Sequence, residues 1–183
     1  MPAHQKIFLL TQRLIIRTYE AGDARLLYAM IQNNRLHISD AMPLTIQNNK
    51  TLQHSINFIE ERLIETNEGK SFVVGMFLAA NNKLIGQLAI MNIDWRVPKC
   101  ELAYFADVNE QSKGYTTEAV KAILEYCLKT LAMKKVFLRI HASNKGSRKL
   151  AEKCGFSMQG IMHNDFKTTD GKLLDLEYWE LLG

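Results

Sequence analysis

Gln111-Ser112-Lys113-Gly114-Tyr115-Thr116-Thr117-Glu118-Ala119 separates two stretches of different period. Before it, Cys100-Glu101-Leu102-Ala103-Tyr104-Phe105 is short and mostly apolar, with aromatic residues that suit a pleated surface. After it, Ala119, Ala122, Ile123, Tyr126, Cys127 and Leu131 recur at helical spacing. Glu118, Lys121, Glu125 and Lys129 fill the other face, Lys121, Glu125 and Lys129 being unlike charges four residues apart. The segment reads as strand, glycine turn, helix. A helix start has N–H groups without intrahelical acceptors and the positive end of the macrodipole, and both attract phosphate. Gly114 lets the backbone approach a ligand with no Cβ in the way. On these grounds the turn is a candidate site for a diphosphate-bearing cofactor.

The rest of the composition narrows the class. The chain has 183 residues, 21.0 kDa and 47% hydrophobic residues, which fits one domain with a substantial core. A net charge of +4, from 23 basic and 19 acidic residues, is too mild and too dispersed to imply nucleic acid. No stretch approaches the ~20 apolar residues of a membrane span. Within Met1 to Leu10 only Ile7-Phe8-Leu9-Leu10 is an apolar run, too short for a signal sequence, so a cytoplasmic protein is expected. Cys100, Cys127 and Cys154 are odd in number and lack C-x-x-C spacing, which argues against a disulfide framework or a zinc site. His4, His37, His54, His141 and His163 are scattered, so no metal is expected, and no GxxxxGK[ST] phosphate loop is present.

Outward from the central turn, Arg13 to Tyr19 reads as a first strand. Asp23 is an N-cap candidate for a helix from Ala24 to about Asn33. Asn33-Asn34 and Met42-Pro43-Leu44 bracket an irregular link. A second helix starts near Thr51 and stops at Gly69, with Leu52, Ile56, Ile59 and Leu63 inward and Glu60, Glu61 and Glu65 in water. Ser71 to Ala79 is apolar on both alternations, the pattern of a strand covered on both faces. Asn81-Asn82 turns it into a strand from Leu84 to Ile90, where Gly86 marks a bulge. Asp94 to Pro98 is a loop. Lys135 to His141 is a further strand, and Ser143-Asn144 opens a short helix through Cys154. Two strands, Gly160 to Lys167 and Lys172 to Leu181, close the chain as a hairpin around Thr169-Asp170-Gly171. Helices mixed with hairpins predict an α+β or mixed α/β fold, not a Rossmann sheet.

The order of these pieces resembles the GNAT superfamily of acetyl-CoA-dependent N-acetyltransferases. The family's phosphate loop, Q/R-x-x-G-x-G/A, corresponds to Gln111, Ser112, Lys113, Gly114, Tyr115 and Thr116, with Thr116 departing from Gly or Ala. Asn144 to Phe156 resembles its second motif, N-x-x-S followed by a helix ending in K-x-G-F. Thr11-Gln12-Arg13-Leu14-Ile15-Ile16-Arg17 resembles the opening of the branch that acetylates the N-terminal alanine or serine of ribosomal proteins. Leu84-Ile85-Gly86, Cys100 to Tyr104, Asp170-Gly171, Asp175 and Tyr178 fit that branch too. The resemblance runs over the whole chain, 1–183, as one domain. It implies a twisted, mostly antiparallel mixed sheet with helices on both faces, whose fourth and fifth strands splay into a V that takes acetyl-CoA. It further implies that the strand from Glu101 through Phe105 to Asp107 pairs with pantetheine through its backbone. Gln111 to Thr116 would hold the diphosphate, and Asn144 with Arg148 or Lys149 would face the distal part of the coenzyme.

The implied reaction moves an acetyl group from a thioester to a neutral primary amine. An α-amine, with a pKa near ~8, is neutral far more often than a lysine near ~10.4. A protein N-terminus is therefore the leading acceptor. A polyamine, an aminoglycoside or another small amine is the alternative, and a non-catalytic acetyl-CoA-binding regulator is a third reading. Glu101, a carboxylate in an apolar strand, is the candidate general base; a salt-bridged strand-end carboxylate is the plain structural alternative. Many family members carry a tyrosine acid seven residues after the motif asparagine, and Ala151 stands there in this chain. Ser147 and Asn144 remain as donors to the departing sulfur, though Ser147 also suits a helix cap. An acetyl-cysteine route through Cys100 is disfavoured, because adjacent strand residues face opposite ways and Cys100 cannot share a site with Glu101. Tyr104, Tyr115, Trp95 and Trp179 read as packing residues. The acceptor would meet the loops around Asn33 to Asn49, Asp94 to Pro98 and the last hairpin. A monomer or a homodimer fits equally.

Overall fold

The computed structural model describes residues 6–39, 42–168 and 170–183. His4, Thr169 of the expected last turn, the first five residues of the Met1–Leu10 run, and Asp40 and Ala41 of the expected Asn33–Asn49 link lie outside the described residues.

Two strands open the chain, β1 (Phe8–Leu10) and β2 (Leu14–Thr18), paired antiparallel. β1 lies outside the strands the sequence predicts, since three residues are too few to show an alternation. Asp23 sits at the N-cap position of α1 (Ala24–Ile38), but its carboxylate turns back to take Glu20 N at 2.8 Å and Arg17 Nη1 and Nη2 at 2.6 and 2.9 Å.

α1 runs five residues past the expected stop at Asn33. The buried Asn34 explains the overrun. Its amide donates to Met30 O one turn back (2.8 Å), and its Oδ1 accepts Val108 N (2.7 Å), so both its polar groups are satisfied while it stays helical. Part of the expected irregular link is a short helix, α2 (Pro43–Gln47), with proline in its first turn.

α3 (Leu52–Glu68) follows its local signals: Thr51 caps it by accepting His54 N, and Gly69 ends it at φ 67°. Glu65 does not stay free in water; it takes Arg62 Nη1 at 2.8 Å and the Ser71 hydroxyl.

Then come β3 (Phe72–Leu78), β4 (Leu84–Asp94) and β5 (Lys99–Ala106), a 3-10 turn at Val108–Glu110, and α4 (Tyr115–Glu125), which ends in one π turn at Tyr126–Thr130. β6 (Lys135–Ile140), α5 (Lys145–Lys153), β7 (Ser157–Lys167) and β8 (Leu173–Leu182) complete the order. β4 extends four residues beyond the expected end at Ile90. Its register shifts opposite Met76 and Phe77, so the bulge lies beside Gly86 as expected.

The described strands form one sheet in the order β1-β2-β3-β4-β5-β6-β8-β7, antiparallel except for β5–β6. β3 separates two cores, which is why it reads as apolar on both faces. Phe72, Val74 and Met76 pack towards α4 and α5, while Val73 and Phe77 pack towards α1 and α3. The fold is therefore the expected mixed, mostly antiparallel sheet with helices on both faces.

β5 and β6 pair only at Lys99–Lys135, Cys100–Val136 and Glu101–Phe137. Beyond that point β5 stays with β4 as far as Ala106–Gly86, and β6 stays with β8 as far as Ile140–Glu177. The two strands diverge into a V, which is the splay expected between strands four and five, since that count began at β2.

Candidate active site

The V opens between one edge of β5 beyond Glu101 and one edge of β6 beyond Phe137. Backbone groups on those edges have no sheet partner across the gap.

Glu101 sits at the fork and is 5% exposed. Its Oε1 accepts Arg139 Nε at 2.9 Å and its Oε2 accepts Asn92 Nδ2 at 2.6 Å. Arg139 also donates to Asp165 Oδ2 at 2.9 Å, so one guanidinium bridges two carboxylates. These partners hold the Arg139 guanidinium above its ordinary pKa against the opposing effect of its burial. Asn92 reaches Glu101 because it adopts φ 50° within an irregular stretch of β4 between Met91 and Asp94. Glu101 is thus a fixed, ion-paired carboxylate, and each of its oxygens keeps a further acceptor direction. Its sheet neighbour Cys100 points into the opposite core. That thiol lies fully buried against Cys127, whose own ionisation is pushed far up by the Cys100 thiol and by burial. Cys100 and Glu101 do not share a face.

At the other end of β5 the chain turns through Asp107, whose Oδ1 accepts Asn109 N at 2.9 Å. The Phe105 side chain is buried in the α1/α3 core and its carbonyl points at Gly86 of β4, while Asp107 N donates to Ile85 O at 2.8 Å. The backbone groups of Phe105 and Asp107 are thus turned to β4, and those of Tyr104 and Ala106 face the gap. The turn of Gln111 to Thr116 lies exposed or half-buried at the start of α4, with Ser112 at φ 61° and Gly114 at φ 83° as the helix N-cap. Gly114 provides no side-chain cap, so the first amides of α4 have neither an intrahelical acceptor nor a capping oxygen. Gln111 Nε2 lies 2.7 Å from His37 Nε2 and 3.4 Å from Ala106 O. Lys113 Nζ pairs with Glu110 at 2.8 Å.

On α5, Asn144 is the N-cap: its Oδ1 accepts Ser147 N at 3.0 Å. The cap side chain is therefore Asn144 and not Ser147, and the Ser147 hydroxyl is left half-buried in the first turn. It lies near the Tyr104 hydroxyl, which makes no well-oriented hydrogen bond; burial pushes the Tyr104 phenol up to about 12, against a small opposing effect of Ser147. Arg148 faces Glu177 at 3.1 Å, at an angle too bent for a hydrogen bond, and Glu177 also accepts Trp179 Nε1 at 3.0 Å. Arg148 is thus engaged on β8. Tyr115 lies under the Arg13 guanidinium, 4.5 Å from it, and Trp95 donates to Gly69 O at 3.0 Å.

Glu101 and Phe105 lie along β5 and Asp107 in the turn just past its end, with Gln111 to Thr116 following it, and Asn144 and Ser147 stand at the start of α5. Asn92, Asp165, His37 and Arg13 carry no local signal of a site, because each finds its partner on another element. The T-x-R segment carried a family signal for Arg13 but no role. Among the described residues no group of three or more His, Cys, Asp or Glu could hold a metal ion.

Comparison with known proteins fits this geometry. A family model described as Acetyltransferase (GNAT) domain matches residues 13–157. A spermidine N(1)-acetyltransferase from Vibrio cholerae is 25% identical over 157 residues, covering 86% of each chain. The solved structure of the ribosomal-protein-S5-alanine acetyltransferase from Vibrio fischeri superposes with a TM-score of 0.88 at 17% identity, covering 96% of each chain. The ribosomal L7/L12 α-N-acetyltransferase RimL, solved with coenzyme A, superposes with a TM-score of 0.88 at 14% identity, covering 96% of this chain and 97% of that one.

Proposed function

The chain belongs to the GNAT acetyltransferase domain family, and from that premise we propose that it acetylates the N-terminal α-amine of a protein by direct transfer from acetyl-CoA. The observation that carries this reading is the fork at Glu101–Phe137, where a buried carboxylate lies at the apex of an unpaired strand edge. The residues fit the coenzyme. The free edge of β5 offers backbone groups to the pantetheine amides, and the uncapped first turn of α4 offers N–H donors to the diphosphate. Bound acetyl-CoA supplies the acetyl group as an activated thioester.

The chain's own residues do the rest. Glu101, steadied by Arg139 and Asn92, accepts the proton of the attacking amine directly or through one water. Ser147 and the Asn144 amide donate hydrogen bonds to the departing sulfur. Near pH 7.5 roughly a quarter of an α-amine is neutral, against roughly one part in a thousand of a lysine-like amine, so a single buried carboxylate suffices for the former.

The spermidine acetyltransferase relative favours a second reading, a polyamine acceptor. Both are tested by following CoA release with N-terminal Ser or Ala peptides and with spermidine. Turnover on the peptides and none on spermidine supports the first reading. The reverse supports the second, and CoA binding without turnover on either refutes both.

A further inference from the structure

We propose that Arg13 is a positioning residue for the coenzyme, an inference that rests on reading Gln111 to Thr116 as the diphosphate cradle. Arg13 stands 100 residues before that turn and is attached to it at several points. Its Nη1 donates to Lys113 O at 3.0 Å. Its guanidinium lies over the Tyr115 ring at 4.5 Å, and its Nη2 comes within 3.4 Å of where a Cβ on Gly114 would stand. The carbonyl it holds lies between Ser112 and Gly114, both left-handed. Ser112 is a non-glycine residue that keeps such a φ only when its surroundings hold it there. Arg13 is the side chain that reaches across to do so.

Its second effect is electrostatic. Arg13 Nε pairs with Glu118 Oε2 at 2.7 Å, while Arg13 N and Thr11 Oγ1 both donate to Glu118 Oε1, at 2.9 and 2.7 Å. Glu118 lies in the first turn of α4, where a diphosphate would sit. Without the guanidinium, that carboxylate would oppose two phosphates at short range. Arg13 therefore fixes the shape of the cradle and cancels the one acidic side chain in its first turn.

Arg13→Ala keeps the backbone N–H that anchors β2 to Glu118, so the variant is expected to fold. Titration of CoA by calorimetry at low temperature, with Gly114→Val as a marker of the cradle, tests the proposal. Arg13→Ala should raise the CoA dissociation constant roughly three- to thirtyfold, the upper part of the range being reduced by solvent screening. The loss should fall on KM for acetyl-CoA rather than on kcat. Arg13→Lys, which restores charge but not the fork, should recover less than half of it. Adding Glu118→Gln to Arg13→Ala should recover part of it. A dissociation constant within twofold of the parent for Arg13→Ala, with Gly114→Val clearly weakened, overturns the role of Arg13 and leaves the cradle in place. If neither variant alters CoA binding, the cradle itself is misplaced and this inference falls with it.

Discussion

Replacing Glu101 by Gln separates its two possible duties, anchoring and proton removal. In the parent, each carboxylate oxygen takes one donor, Arg139 Nε at 2.9 Å and Asn92 Nδ2 at 2.6 Å. A glutamine keeps one acceptor oxygen and turns an NH₂ towards the other donor. One charge-assisted bond is lost, worth about 1.5–3 kcal/mol. The larger cost of about 3–5 kcal/mol for breaking a buried pair does not apply, because Arg139 keeps Asp165 at 2.9 Å and stays compensated. For a chain of this length that predicts a fall in Tm of roughly 3–12 °C, which leaves the variant folded at room temperature. Turnover should fall by about 10²–10⁴, the usual contribution of a positioned general base. CoA affinity should stay within about twofold, since the carboxylate lies at the opposite end of β5 from the cradle. Arg139→Gln is the comparator, because it breaks the same ion pair from the other side and leaves the carboxylate present. If Glu101 only anchors, the two variants lose activity alike. If it removes the proton, Glu101→Gln is slower by at least tenfold. A kcat for Glu101→Gln within threefold of the parent, measured at saturation and well below its Tm, refutes the base assignment.

Further tests follow from other contacts. Burial pulls the Glu118 carboxyl up, but hydrogen bonds from Thr11 and Arg13 outweigh it and the net displacement is below the ordinary value of 4.5. A carboxylate lowered on folding contributes stability that is present above its unfolded pKa and lost as pH falls through its folded one. Urea unfolding should therefore show the parent losing more stability than Glu118→Gln between pH 5 and pH 3; parallel losses refute the coupling. A Cβ on Gly86 would stand 2.0 Å from Met76 Cε and 2.5 Å from Phe105 O. The methionine can swing away, but the carbonyl belongs to β5, so Gly86→Ala should cost about 1–3 kcal/mol and shift the melting curve accordingly. An unchanged melt would mean that the β4–β5 spacing yields freely.

What the sequence disclosed depends on how far away each residue finds its partners. Thr51 and Gly69 mark α3 correctly because cap and capped groups lie within one turn. Lys129 and Glu125 pair at 2.7 Å on α4 as their spacing predicts, for the same reason. Glu118 looked like another member of that charged face, yet its partners are Thr11 and Arg13, more than a hundred residues earlier. Asn34 looked like a helix stop because the residue that satisfies its Oδ1 is Val108, on another element. Glu101 was legible as a carboxylate in an apolar strand. Its setting was not, because Asn92, Arg139 and Asp165 arrive from an irregular part of β4, from β6 and from β7. The ends of elements are where such distant completion is required, since helix termini and diverging strands leave backbone groups that local sequence does not satisfy. In this fold the first turn of α4, the first turn of α5 and the fork of β5 and β6 are all such ends. The place of the candidate site follows from local backbone logic, whereas the side chains around it come together only when the strands are assembled.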